Sequence, residues 1–335
     1  MRFVIVGAGA LGSILGAHLT RAGHDVTLYA RARRAAQVAA GLRLTGLVEL
    51  EATCRVVCDA RALEAADTLV LATKAIDTAQ TLAAFRDLRV ETAFSVQNGV
   101  LKNELLAAAF GRERVLGCVA DFSGELLADG AVRFTRNVCV HLGDLTATSS
   151  DRAQRLASVL ESAGIRAAVA ADIVSLEWSK FTGWIAQLPL AVLTRRLTAE
   201  FLADADAASV IVELAREAKA LADASGIALV DAAPLPVVSI AQASDDDARA
   251  LVVKVGERYR ATAPEHRMSA QQDALRGSPL ELEETLGFAV ARGQALGVRM
   301  PALGLAYRLL RATHPARNGA GVAPTSPSLS SATSR

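Results

Sequence analysis

The stretch MRFVIVGAGALGSILGAHLTRAGHDVTLYAR, residues 1–31, constrains this chain more than any other. A short apolar run, Phe3 to Val6, is rich in β-formers and too short for a helix. Gly7-Ala8-Gly9-Ala10-Leu11-Gly12 follows, then an Ala/Leu-rich helical pattern and a second strand from Asp25 to Tyr29. Strand, glycine turn, helix and strand within about thirty residues is the span of one βαβ unit. In such a unit Gly7 permits the tight turn, Gly9 lets the backbone approach a pyrophosphate, and Gly12 lets helix and strand pack closely. The phosphates rest on amide N–H groups at the positive end of the helix. Glycines also serve ordinary turns; the strand before and the helix after are what turn this G-x-G-x-x-G into a dinucleotide site.

The end of the second strand selects the cofactor. An acidic side chain there would hold the ribose 2′-hydroxyl of NAD, whereas an arginine suits a 2′-phosphate. This chain reads Tyr29-Ala30-Arg31-Ala32-Arg33-Arg34. A planar guanidinium matches phosphate geometry, so Arg31 points to NADP. A solvated basic helix start accounts for Arg33 or Arg34.

A chain of 335 residues has room for two domains with real cores. A net charge of +1 gives no argument for nucleic acid or an anionic membrane surface. No apolar stretch reaches the ~18 residues that a membrane span requires. The apolar N-terminus lacks a basic leader and a small-residue cleavage site, and the dinucleotide motif already explains it. Cys54, Cys58, Cys118 and Cys139 form no CxxC pair and no dense framework, which predicts reduced, mostly buried thiols in a cytoplasmic protein. None of the histidines has metal-ligand spacing with a cysteine or carboxylate, so no metal is expected.

Strand and helix patterns alternate onward from Gly41. Weak alternation to Cys58 predicts one or two short strands, and Asp67 to Lys74 reads as a buried parallel strand with Lys74 just past its carboxyl end. Ligands of open α/β sheets bind outside the carboxyl ends of the strands. A helical segment, Asp77 to Leu88, leads to a strand from Thr92 to Val96 that ends in Gln97-Asn98-Gly99. Asn-Gly is a turn signal, and Asn98 also offers a donor and an acceptor at the same sheet edge. Short strands around Leu116–Val119 and Val138–Leu142 flank a turn region containing Gly124 and Asp129-Gly130. The alternation stops near residue 171, and helical patterns fill the remainder, including Ser269–Arg276 and Pro279–Leu296. The expected fold is therefore an α/β Rossmann-type dinucleotide-binding domain, residues 1–170, followed by an all-α domain, residues 171–315. Pro, Gly, Ser and Thr dominate residues 316–335, which predicts a disordered tail.

Several spaced pieces give the chain a family likeness. They are GAGALG at Gly7–Gly12, Arg31, Ala72-Thr73-Lys74, Gln97-Asn98-Gly99, Trp178-Ser179-Lys180, and the pair Ser269 and Glu281. In this order and spacing the chain resembles the ketopantoate reductases (2-dehydropantoate 2-reductases) from Met1 to about His314. The resemblance implies NADPH-dependent reduction of a 2-oxo acid to a 2-hydroxy acid, ketopantoate to pantoate in pantothenate biosynthesis, in a cleft between the two domains. It makes Lys180 the proton donor and Glu281 its catalytic partner. Cofactor contacts are implied for Gly7, Ala8, Gly9, Ala10, Leu11, Gly12, Arg31, Lys74 and Asn98. Substrate contacts are implied for Asn98, Lys180, Trp184, Ser269 and Glu281. The residues alone also admit plainer roles: a solvated helical lysine for Lys180, an N-cap for Ser269, helix-start acids around Glu281. Trp178, Phe181 and Trp184 surround Lys180 with apolar surface, which lowers an ammonium's pKa and makes it a better proton donor.

One departure bears on substrate. Family members carry asparagines four and eight residues after the lysine, where this chain has Trp184 and Leu188. Three readings follow: a ketopantoate reductase in which Gln187, Thr182 or Thr198 restores the contacts; a family oxidoreductase for a less polar 2-oxo acid; or a non-catalytic NADPH-binding regulator. Retention of both Lys180 and Glu281 argues against the last. A homodimer is compatible with the helical half.

Overall fold

In the computed structural model, which describes residues 1–146 and 151–314, β1 (Arg2–Val6) is buried from Phe3 to Val6 and so needs cover on both faces. It lies at the middle of a five-stranded parallel sheet. The chain runs through α1 (Ala10–Arg21), β2 (Asp25–Tyr29) and α2 (Ala32–Val38), then β3 (Leu42–Gly46), β4 (Leu50–Ala52) and β5 (Arg55–Val57). It returns through β6 (Ala65–Leu71), α3 (Thr78–Ala84), β7 (Arg89–Ser95) and α4 (Leu101–Phe110). The sheet order is β5-β2-β1-β6-β7. Successive strands therefore leave β1 first in one direction and then in the other, and the reversal opens a crevice at the carboxyl ends of β1 and β6. Residues 7–12, 72–77 and 96–100 all lie along that edge.

A second sheet carries β8 (Leu116–Leu126) and β9 (Val132–Asp144), an antiparallel pair much longer than the strands expected from the sequence. After α5 (Asp151–Ser162) comes β10 (Ala167–Val169), and the order is β10-β9-β3-β4 with β8 on β9. Asp121, Ser123 and Glu125 make the second half of β8 look like loop, and two register shifts interrupt its pairing. Gly124 belongs to this strand and not to the turn; a Cβ there would lie 2.7 Å from Ile14 Cδ1. Between Gly41 and Cys58 the chain forms three strands, split between the two sheets.

The helical half comprises α6 (Ile173–Thr194), α7 (Thr198–Leu202), α8 (Ala205–Ala224), α9 (Val237–Gln242) and α10 (Asp245–Thr262), then α11 (Ser269–Leu275), α12 (Phe288–Ala295) and α13 (Pro301–Thr313). Asp172 caps α6 by accepting from Ser175 N at 2.9 Å. α6 is buried on nearly every side and forms the axis of this half's core. The continuous helix expected over Pro279–Leu296 is instead a π-helical turn, Glu283–Gly287, leading into α12. Gly287 N reaches Leu282 O at 2.8 Å, the wider spacing that marks such a turn.

Two smaller expectations change. Only Cys118 is buried; Cys54 and Cys139 are half-buried and Cys58 is exposed, all four as free thiols. The tail expected to be disordered lies outside the described residues. Among the described residues, no helix is long and apolar enough to cross a membrane.

Candidate active site

The glycine loop has a distinct reason for each glycine. Gly7 has φ +110°, and a Cβ on it would press to 2.8 Å of the Ala72 backbone. A Cβ on Gly12 would lie 1.9 Å from Gly7 O, so helix and loop can meet only at glycine. At Gly9 an added Cβ meets nothing within 4 Å, leaving the backbone open to a ligand. Gly9 is also the N-cap of α1, which has no side-chain cap and no acid in its first turn. The leading N–H groups of a helix lack intrahelical partners. Open space over uncapped amides fits the pyrophosphate of a dinucleotide.

The arginines divide their work differently from the sequence reading. Arg31 is exposed and pairs with Asp77 at 2.6 Å, on the turn after β6. Arg34 is not a solvated helix-start residue. Its guanidinium donates to Ala8 O at 2.7 Å, Gly130 O at 2.9 Å and Ser13 Oγ at 3.1 Å, tying α2 to the glycine loop and the β8–β9 turn. Burial lowers its pKa.

A narrow cleft, partly open to solvent, lies between the end of β7, the start of β8 and α6. Asn98, Lys180 and Trp184 all line it, together with Gln97, Gly99 and Phe181. Gln97 is held by its amide, which donates to Thr78 Oγ1 at 2.7 Å and to Thr73 O at 3.0 Å. Lys180 Nζ donates to Ala120 O at 2.6 Å, its one acceptor among the described residues. Its pKa falls to about 8, mainly because burial disfavours the charged form and secondarily because Lys102 is a nearby cation.

Glu281, Lys74 and Ser269 sit outside that cleft lining. Glu281 Oε1 accepts from Ala75 N at 2.5 Å, and Lys74 pairs with Asp273 of α11, so both contacts join the helical half to the sheet edge. Burial raises the Glu281 pKa, opposed by the neighbouring Lys74 charge. Gly99 brings this group close to the cleft: a Cβ there would lie 3.6 Å from Glu284 O, one turn from Glu281. Ser269 is exposed at the start of α11, and the N-cap is Met268.

Trp184 and Leu188 part company. Trp184 walls the cleft, but Leu188 is 1% exposed within the helical core. The polar residues expected to compensate are occupied elsewhere. Gln187 Nε2 donates to Gly183 O, Thr182 Oγ1 donates to Trp178 O, and Thr198 Oγ1 pairs with His266 Nδ1. All three side chains are buried.

Sequence reasoning missed Lys102 and Glu177. Both line the cleft, 5% and 3% exposed, with 3.3 Å between Lys102 Nζ and Glu177 Oε1. A lysine at a helix start and a glutamate before a tryptophan read as surface residues; only their depth in the cleft distinguishes them.

Comparisons with known proteins agree with this geometry. The family described as "Ketopantoate reductase PanE/ApbA" matches residues 3–147, and "Ketopantoate reductase PanE/ApbA C terminal" matches residues 172–314. A 2-dehydropantoate 2-reductase of Archaeoglobus fulgidus is 30% identical over 89% of this chain and 92% of its own length. One from Mesorhizobium japonicum is 28% identical over 93% and 97%. The crystal structure of a PanE/ApbA family ketopantoate reductase from Ralstonia eutropha superposes with a TM-score of 0.79, at 25% identity, over 94% of this chain and 98% of that one. D-mandelate dehydrogenase with NADH and anilino(oxo)acetate shares the fold, with a TM-score of 0.80 at 20% identity over 94% and 98%. With both halves matched and a Rossmann-type sheet followed by helices, the chain belongs to the ketopantoate reductase family of NADP-dependent oxidoreductases.

Proposed function

We propose that this oxidoreductase reduces a 2-oxo acid to the 2-hydroxy acid, with 2-dehydropantoate, yielding pantoate for pantothenate biosynthesis, as its first candidate substrate. The observation that carries the reading is Lys180: a half-buried ammonium with a pKa near 8, lining the same cleft as Asn98. The glycine loop, Gly7 to Gly12, would hold NADPH, which would supply the hydride for the keto carbon. The keto oxygen gains negative charge as that bond forms, and Lys180 gives it a proton. Ala120 O holds the ammonium by one hydrogen, leaving the others for the substrate. Lys180 then regains its proton from water. Asn98 binds the substrate from the loop after β7, and Ser269 and Glu281 complete the site from the helical half. The second Glu281 oxygen is available to a substrate hydroxyl, since Oε1 is taken by Ala75 N. Arg31 takes the 2′-phosphate, Lys74 lies within reach of cofactor and substrate anions, and Gly7 to Gly12 carry the pyrophosphate.

A less polar 2-oxo acid is the second reading, favoured by Trp184, whose indole occupies a wall where an amide would bind a hydroxyl. We place the domain limits at residues 1–170 and 171–315, and the protein in the cytoplasm. A homodimer is part of the proposal, with exposed Leu305 and Leu309 of α13 as apolar surface available to it.

The test is the initial rate of NADPH oxidation by purified protein with ketopantoate, beside pyruvate and branched-chain and aromatic 2-oxo acids. Saturable turnover greatest with ketopantoate supports the first reading. Preference for an apolar acid supports the second. NADPH binding without turnover on any acid overturns both and leaves a nucleotide-binding regulator.

A further inference from the structure

We propose that Lys102, fixed by Glu177, is the positioning cation of this active site: a buried charge that holds the Lys180 ammonium against Ala120 O and keeps it ready to release a proton. The inference rests on the reading of Lys180 as proton donor and adds a residue to it.

The geometry commits Lys102 to its protein neighbours. An ammonium has three hydrogens to donate. Lys102 donates to Cys118 O at 2.6 Å and to Gln97 O at 2.9 Å, and Glu177 Oε1 lies 3.3 Å from the ammonium as its ion-pair partner. Two backbone carbonyls and a carboxylate thus surround this ammonium, whose side chain borders the same cleft as Lys180. Glu177 is equally committed: Cys118 N donates to Oε1 at 2.8 Å and Asn103 Nδ2 donates to Oε2 at 2.5 Å. A buried ion pair is costly unless its lone pairs and protons are satisfied, and here the partners that satisfy it come from the elements lining the cleft.

The connections of the pair say what is gained. Gln97 precedes Asn98, Cys118 lies two residues before Ala120 on β8, and Glu177 lies one helical turn before Lys180 on α6. The pair therefore pins together the loop, strand and helix that supply Asn98, the Ala120 carbonyl and Lys180. The other groups facing Lys180 are Cys118 and Asp121 on β8 and Arg136 and His141 on β9. Asp121, paired with Arg136 at 2.7 Å, acts on Lys180 in the opposite sense to Lys102 and more weakly. Although paired with Glu177 Oε1 at 3.3 Å, Lys102 is the charge that acts most strongly on Lys180. A like charge nearby disfavours the protonated ammonium, which lowers its pKa.

The experiment reads the ionisation of Lys180 independently of turnover. Purified full-length protein is pulsed with an amine-acylating reagent across a pH series, and modification at Lys180 is quantified by peptide mass spectrometry beside the pH profile of kcat. Lys102→Met removes the cation, and the Lys102→Met/Glu177→Gln double variant removes it without leaving a buried unpaired carboxylate, so folding does not hang on one replacement. Lys102→Met should move the Lys180 midpoint up by about half a pH unit or more, the double variant should move it up by less, and Glu177→Gln alone should move it down. In each variant the alkaline limb of kcat should move with the midpoint. A midpoint unchanged in the double variant overturns the proposal, whatever happens to the rate. A midpoint that moves while the kcat limb stays put supports the role of Lys102 and removes Lys180 as the proton donor.

Discussion

Arg34 Nε donates to Ala8 O at 2.7 Å, so the last arginine of the Arg31–Arg34 cluster belongs to the glycine loop, while Arg31, 78% exposed, reaches towards solvent beside Asp77. The two should fail differently. Arg31→Ala should weaken NADPH by roughly 10- to 100-fold, the scale of one charge-assisted hydrogen bond to phosphate, and leave NADH within about threefold. Arg34→Ala should weaken both cofactors alike and cost about 1–3 kcal/mol of stability, because Ala8 O, Ser13 Oγ and Gly130 O lose their donor. Fluorescence titration with each nucleotide and a melting curve separate the two outcomes.

Gly9 and Gly12 offer a similar contrast within one motif. Gly9→Ala should fold with an unchanged melting temperature, since its φ of −70° suits any residue and its Cβ meets nothing, yet bind NADPH at least about tenfold more weakly because the methyl stands where the pyrophosphate approaches. Gly12→Ala should lose about 1–3 kcal/mol or more before any cofactor is added, because its methyl would lie 1.9 Å from Gly7 O. Chemical denaturation without nucleotide is the deciding measurement.

For Lys180, the sign of the pH effect follows from its job. A proton donor works in its charged form, which persists below a pKa of about 8, so kcat should be flat at neutral pH and fall as pH rises through that value. Lys180→Ala should lower kcat by about 10²- to 10⁴-fold, remove the alkaline limb and leave the NADPH dissociation constant nearly unchanged. A pH–rate profile measured at saturating substrate tests all three.

Trp184 and Leu188 should also separate. Trp184→Asn should raise the kcat/KM ratio of ketopantoate over apolar 2-oxo acids by about tenfold or more, since a hydrogen-bonding wall discriminates far better than an apolar one. Leu188→Asn should leave that ratio alone and destabilise the protein by about 2–5 kcal/mol, because it puts an amide where a leucine is 1% exposed.

That last pair shows where sequence reasoning stops. Residues four apart share a helix face, so Trp184 and Leu188 read as one feature. α6 is buried on nearly all sides, however, and which part of its surface meets the cleft depends on the strand laid against it. The glycine loop was legible because each glycine answers a backbone requirement that no neighbour can change. The central parallel strands were legible because apolar runs such as Phe3–Val6 and Leu69–Leu71 are too short for helices and end at turn signals. β8 was half hidden: its outer positions are polar and its register shifts twice, which erases the alternation that marks a strand. Glu281 could be located by motif, but its contact with Ala75 N joins residues from opposite halves of the chain and exists only once both halves are folded together. The Lys102–Glu177 pair is invisible for the same reason, because nothing in either residue's neighbours announces a partner on another element.

The Lys74–Asp273 contact changes what affinity means at that lysine. Asp273 is only 15% exposed, and its carboxylate already neutralises the ammonium that a phosphate or carboxylate ligand would seek. An anion that takes Lys74 therefore displaces a resident one and strands an acid on α11, instead of settling onto a waiting charge. Ligand strength at this position is a difference between two ion pairs, and it rises or falls with whatever else Asp273 can find to hold.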